Sequence, residues 1–137
     1  MKSRSKNVRL VIISLIMILV GSVLANYYNT SKRTVDVERI SFQTERGTLS
    51  GLLYKPKGVD AYNPRPALVT THGYLNSAEM QDAPAIEMSR RGYVVLALDQ
   101  YDHGHSRLNS ENTGSFLNFW PKSIYDATQY MYNQDYV

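Results

Sequence analysis

The apolar positions of this chain fall into four patterns, and each predicts its own element. From Leu10 to Ala25 the run LVIISLIMILVGSVLA holds no charge. With Val8 before it and Tyr27-Tyr28 after it, it approaches the roughly 20 residues that cross a bilayer as helix. A domain of this size has no means of surrounding so long an all-round apolar helix. Residues 10–28 therefore read as a transmembrane anchor or a signal peptide. Val37 to Glu45 alternates in part, with Ile40 and Phe42 apolar; Arg46-Gly47 reads as a turn, and Thr48 to Tyr54 as a second strand of a hairpin. The prolines and charges of KPKGVDAYNPRP, residues 55–66, mark a surface loop.

Two solid apolar blocks follow, Ala67 to Thr71 and Tyr93 to Leu98, of the kind that makes strands covered on both faces. Between them Asp82 or a residue near it can cap a helix whose first turn tolerates Pro84. Ile86, Met88 and the neighbouring alanines give an apolar side before Arg90-Arg91-Gly92 closes the helix. Strand, helix and strand at this spacing form a βαβ unit, with parallel strands and a right-handed crossover. The aromatic group Phe116 to Trp120 precedes a last helix from Ser123 to Asn133. There Ile124, Ala127, Tyr130 and Met131 form one stripe, and Asp126 lies on the wetter side. The expected architecture is α/β: a mostly parallel sheet with an N-terminal hairpin, preceded by one hydrophobic helix. A further parallel strand would be expected after Val137.

Charge refines the topology. Lys and Arg number 15 against 12 Asp and Glu, but Lys2, Arg4, Lys6 and Arg9 all precede the apolar run, and without these four the balance is 11 to 12. The basic excess is thus a membrane-orientation signal that keeps residues 1–9 in the cytoplasm, and no nucleic-acid partner is implied. Tyr27 and Tyr28 suit the far interface, so the remainder is expected outside the cytoplasm. Retention is preferred, with secretion the result if the chain is cut after Ala25. Residues 29–36, polar and unpatterned, read as a tether to a domain over 37–137. The chain has no cysteine, which excludes a disulfide scaffold and a thiol nucleophile.

In an open α/β sheet, ligands bind beyond the carboxyl ends of the strands. That rule draws together His72-Gly73-Tyr74 after the first block and Asp99-Gln100-Tyr101-Asp102-His103-Gly104-His105-Ser106 after the second. These two motifs, in this strand context, resemble the amino-terminal half of an α/β-hydrolase over roughly residues 37–137. The resemblance implies that the Tyr74 backbone N–H forms part of an oxyanion hole, supported by His72 and Gly73. It also implies that the loop Asp99, Asp102, His103, Gly104, His105 and Ser106 lies beside the site. Asp102 stands where that family usually has glycine, and aspartate enters left-handed backbone better than most residues. The implied substrate is a small or peptidic ester, thioester or amide, with no cofactor.

A serine hydrolase of that fold needs a Gly-x-Ser-x-Gly elbow, followed in the chain by an acid and a histidine. No such motif occurs here. Ser77 reads as a helix cap, Ser89 as a late helix residue, Ser106 as a turn residue and Ser123 as a helix start. The nucleophile, acid and base are therefore expected in downstream chain that completes the fold, and residues 1–137 alone are expected to be inactive. Two other readings stay open. One is a metal-dependent hydrolase that uses Asp102, His103 and His105 with Asp99 or His72. The other is an extracytoplasmic binding or structural module whose eleven tyrosines and Trp120 offer rings to a carbohydrate or peptide. Gly-x-Gly-x-x-Gly is absent, so a dinucleotide site is not expected.

Overall fold

A computed structural model describes residues 2–111 and 115–137. Helix α1, Lys2–Asn29, contains the apolar run; its stretch Lys6–Asn29 is long and apolar enough to cross a membrane, and none of it is buried. The turn over residues 30–34 then delivers the chain to a hairpin, β1 Val35–Thr44 and β2 Gly47–Pro56. The link between helix and sheet is thus shorter than the tether expected over 29–36. Thr44 pairs with Gly47, so the hairpin turn is Glu45-Arg46, one residue before the expected position.

Next come β3, Ala67–Thr71; a single 3₁₀ turn, Ala78–Gln81; α2, Asp82–Arg90; and β4, Val94–Asp99. A two-residue strand, β5, Arg107–Leu108, and helix α3, Phe116–Tyr132, complete the described chain. The principal strand order is β1-β2-β4-β3, with β5 pairing on β2. Only the β3–β4 pairing is parallel; β1–β2, β2–β4 and β2–β5 are antiparallel. The mostly parallel sheet expected from the sequence is corrected: among the described residues the sheet is mostly antiparallel. A parallel pair needs a crossover of a dozen or more residues, and only the segment through α2 supplies one here.

β4 carries the core. Val94, Leu96 and Leu98 join Leu49, Leu53, Phe119, Ala127 and Met131 on one face, while Val95 and Ala97 join Val35, Tyr54, Ala78 and Ala85 on the other. The strand is buried along its whole length, as a period of two between two helical layers requires. Each such Val or Leu contributes about 1.5–3 kcal/mol by leaving water. β3 is only half-buried throughout, because it has β4 on one side and forms the edge of the described sheet.

Helix α3 begins seven residues before the expected Ser123, with Ser115 as cap: its hydroxyl accepts from the Leu117 N–H at 3.4 Å. The helix runs through Pro121, whose missing N–H leaves a carbonyl only near exposed Leu117 at the helix start. Its buried stripe is Phe119, Ser123, Ala127 and Met131. Ile124, expected on the stripe, is exposed. Asp126, expected on the wet side, has a side chain only 9% exposed and is paired with Arg46 at 2.7 Å. The polar stretch read from Leu108 to Ser115 falls partly at 112–114, outside the described residues.

Candidate functional site

The buried apolar face of β4 ends in a carboxylate. Asp99 continues the register of Val95 and Ala97, and its side chain is fully buried. A charge in that position requires compensation on every side. One oxygen accepts the Ala78 N–H at 2.6 Å; the other accepts Arg39 Nη1 at 3.0 Å and the His105 N–H at 3.1 Å. Arg39 comes from β1, on the same face as Val35 and Val37, and its second nitrogen bonds Glu79. The hydrogen bond from the Ser77 hydroxyl, at 2.5 Å, holds the Glu79 carboxyl below its usual value, and the Arg39 charge adds to this.

The loop after β4 is built around this carboxylate. Gly104 has φ +51°, and a Cβ there would lie 2.3 Å from an Asp99 oxygen, so no larger residue fits. Asp102 has φ +59°, and its carboxylate accepts the Leu108 N–H at 3.0 Å, fastening the loop to β5. Ser106 is wholly buried; it donates to the Asp99 carbonyl at 2.6 Å and accepts the Ser50 N–H at 2.8 Å.

His72 leaves the end of β3 and is 5% exposed. Its Nδ1 lies 2.7 Å from the Gly73 carbonyl oxygen, and its Nε2 accepts the Gln100 N–H at 3.2 Å. That pattern fixes the tautomer with the proton on Nδ1. The Gln100 amide returns a bond to the His72 carbonyl at 2.6 Å, so the ends of β3 and β4 are locked together. With both nitrogens held by backbone, His72 has no ring atom left to act as a base.

Beyond this lock lie rings. His103 is 5.3 Å from both His72 and Trp120, and Tyr74 is 6.0 Å from His103 and 5.9 Å from Trp120, centroid to centroid. Tyr74 is exposed. Leu75 beside it is 78% exposed at φ +58°, a conformation that disfavours a branched side chain. A Cβ on Gly73 would meet nothing within 4 Å, and Gly73 is not among the glycines of positive φ. Neither conformation nor packing demands glycine there.

Thus the structure brings His72, Gly73, Tyr74 and His103 to one place and uses Asp99, Asp102, Gly104 and Ser106 to hold the adjoining loop. His105 is exposed, its Nδ1 3.6 Å from Asp99. Among the described residues no three His, Asp or Glu side chains converge as a metal site. Asp102 bonds the Leu108 N–H and Asp99 bonds Arg39, and the suggested ligands approach one another only in pairs, Asp99 with His105 and His72 with His103. Of the serines, Ser89 donates to the Tyr54 carbonyl at 3.3 Å. Ser123, within α3 and not at its start, donates to the Phe119 carbonyl at 3.0 Å and accepts the Tyr101 N–H at 3.1 Å. Neither these two nor Ser77 nor Ser106 donates to a histidine.

The sequence reading missed Arg39, Gln100 and Ser50. Arg39 was detectable in principle, since a carboxylate ending an apolar block needs a cation, and Arg39 shares the strand parity of Val35 and Val37.

No family model matches the chain, and no curated protein matches it. Among solved structures, the chain is similar to a hypothetical protein, PA2218, from Pseudomonas aeruginosa, with a TM-score of 0.64 and 24% identity over 76% of this chain. At that identity the likeness speaks for the fold alone. It is also similar to acetyl xylan esterase 1 from Thermoanaerobacterium sp. JW/SL YS485, with a TM-score of 0.47 and 19% identity over 76% of this chain; at that score the likeness adds nothing to the first. The chain spans 32% and 41% of the length of those two proteins.

Proposed function

We propose that residues 37–137 are the oxyanion side of an α/β-hydrolase domain acting on an ester, thioester or amide. The observation that carries the reading is the lock between His72 and Gln100. It joins His72-Gly73-Tyr74 and the Asp99–Ser106 loop at one sheet edge, with open space in front of Gly73. The nucleophile, acid and base come from sequence beyond these residues, since each serine weighed here is committed to the fold. As the nucleophile adds to the carbonyl carbon, negative charge grows on the carbonyl oxygen, and the Tyr74 N–H strengthens its hydrogen bond to that oxygen. Loss of one such donor costs about 2.7–4 kcal/mol of transition-state stabilisation. His72 positions this peptide through its backbone bonds and moves no proton. α1 anchors the domain on the outer side of the membrane, with residues 1–9 in the cytoplasm.

In the intact enzyme, Tyr74→Ala keeps the N–H and changes kcat modestly. Tyr74→Pro removes the N–H and lowers kcat by about 10²–10³-fold. Equal effects of the two substitutions would remove the oxyanion role. Protease added to intact cells cleaves the domain under this orientation; protection until lysis would reverse it.

The ring cluster of Tyr74, His103 and Trp120 favours a second reading, a binding module for a carbohydrate or peptide. Trp120 is the single tryptophan, so its emission reports the cluster directly. A saturable shift of that emission by a sugar or peptide that is never turned over would favour binding over hydrolysis.

A further inference from the structure

A recess of about 500 Å³ lies where the end of α1 meets the end of α2, lined by Tyr28, Ser31, Lys32, Thr34, Ile86 and Arg90. Two cations line it, Lys32 and Arg90, and Arg91 follows Arg90 in the chain. Arg90 and Arg91 share one carboxylate, Glu87, at 3.2 and 2.9 Å. Among the described residues no carboxylate pairs with Lys32 or Arg33. The recess on the other side of the same turn is lined by Asp36 and Glu38 as well as by Arg33, Lys55 and Lys57, whereas no carboxylate lines the Lys32–Arg90 side.

Depth identifies the occupant. The 24-residue span Lys6–Asn29 rises about 36 Å as a helix, more than the roughly 30 Å of hydrocarbon in a bilayer. Its last turn, with the paired rings of Tyr27 and Tyr28 at 5.5 Å, therefore stands in the headgroup layer, where tyrosine is at home. Lys32 follows within one turn. The backbone there is unusual: Ser31, Lys32 and Arg33 have φ of 47°, 59° and 64°, although side-chain-bearing residues normally visit this region singly. Such strain persists where the surroundings fix it, and it gathers at ligand clamps.

We propose that this recess binds the phosphate headgroup of an anionic phospholipid between Lys32 and Arg90, which fixes the orientation of the domain on the bilayer. The proposal rests on α1 being an anchor. The headgroup phosphate lies between the Lys32 ammonium and the Arg90 guanidinium, Ser31 supplies a hydroxyl, and the Tyr28 ring covers the glycerol end.

The test uses the full chain in nanodiscs of phosphatidylcholine alone or mixed with phosphatidylglycerol, with amine-reactive labelling quantified at Lys32 and, for comparison, at Lys57. Phosphatidylglycerol is expected to slow Lys32 labelling about fivefold, as one basic residue at an anionic surface implies, and to leave Lys57 little changed. The protection is expected to fade in high salt and in Arg90→Gln, a substitution at a side chain 60% exposed that the fold should tolerate. Equal Lys32 labelling in the two discs would overturn the proposal. So would equal protection by inorganic phosphate in phosphatidylcholine discs, which would make this a soluble-anion site. A chain that fails to co-purify with either disc would overturn the anchor itself, an outcome distinct from insertion without lipid-dependent protection.

Discussion

Asp99 decides the shape of the site, because a fully buried carboxylate dictates what surrounds it. Asp99→Ala leaves Arg39 and two backbone N–H groups without their acceptor, and is expected to cost about 3 kcal/mol or more in urea unfolding of the full chain in detergent. Gly104→Ala places a methyl against the same carboxylate and holds alanine at positive φ, a cost of about 1–2 kcal/mol for conformation alone. By contrast Gly73→Ala meets no atom, so its melting temperature should be unchanged, while on the proposed hydrolase reading it lowers turnover of the longer protein. If Gly73→Ala lowers stability as much as Gly104→Ala, the open space around the Gly73 α-carbon is not real. Glu79 gives an acid signature. Its carboxyl is held below the usual value, so the stabilisation it provides is complete above that value and disappears as pH falls through the folded pKa. Glu79→Gln should flatten the acid limb of the stability profile.

At the scale of elements, solid blocks and periodicities were legible while exceptions to them were not. β3 and β4 could be read as solid apolar blocks, and α2 from its apolar side and its closing Arg90-Arg91-Gly92. α3 starts earlier than the stripe from Ser123 implies, because near a helix start Pro121 is tolerated: the carbonyl it leaves unpaired lies by exposed Leu117. β5 is too short for any pattern, and exists because Asp102 and the hairpin hold it. Arg46, Asp126, Tyr101 and Thr44 form a polar network that ties the hairpin turn to α3. No spacing announces it, since bonded partners in it are up to 80 residues apart. Burial, with Asp126 adding to it, pushes the Tyr101 phenol well above its ordinary 10.0; burial and then Asp82 raise that of Tyr54. Raised values mean full stabilisation below pH 10.0 and progressive loss as pH rises through the folded pKa values. Tyr101→Phe should therefore blunt alkaline unfolding, and an unchanged alkaline limb would count against the network. Within β4, Leu96→Ala should cost about 2–5 kcal/mol, because both flanking strands prevent collapse around the gap.

For the whole molecule, the sequence predicted that the carboxyl ends of β3 and β4 lie side by side, but not how they are held. The strand ends carrying His72 and Asp99 followed from the parallel pair, whereas the antiparallel majority of the sheet was obscured because apolar blocks look alike in either direction. The half-buried edge of β3 offers unpaired backbone to another strand. The hydrolase reading assigns that place to chain carrying the nucleophile. The most direct test is to recover the native protein with an antibody against residues 29–137, treat it with a fluorophosphonate, and map the adduct by mass spectrometry. The account predicts one labelled serine, in a peptide outside residues 1–137, on the same polypeptide or on a tightly bound one. A stoichiometric adduct on Ser77, Ser89, Ser106 or Ser123, or no adduct on any serine of the recovered material, would contradict it.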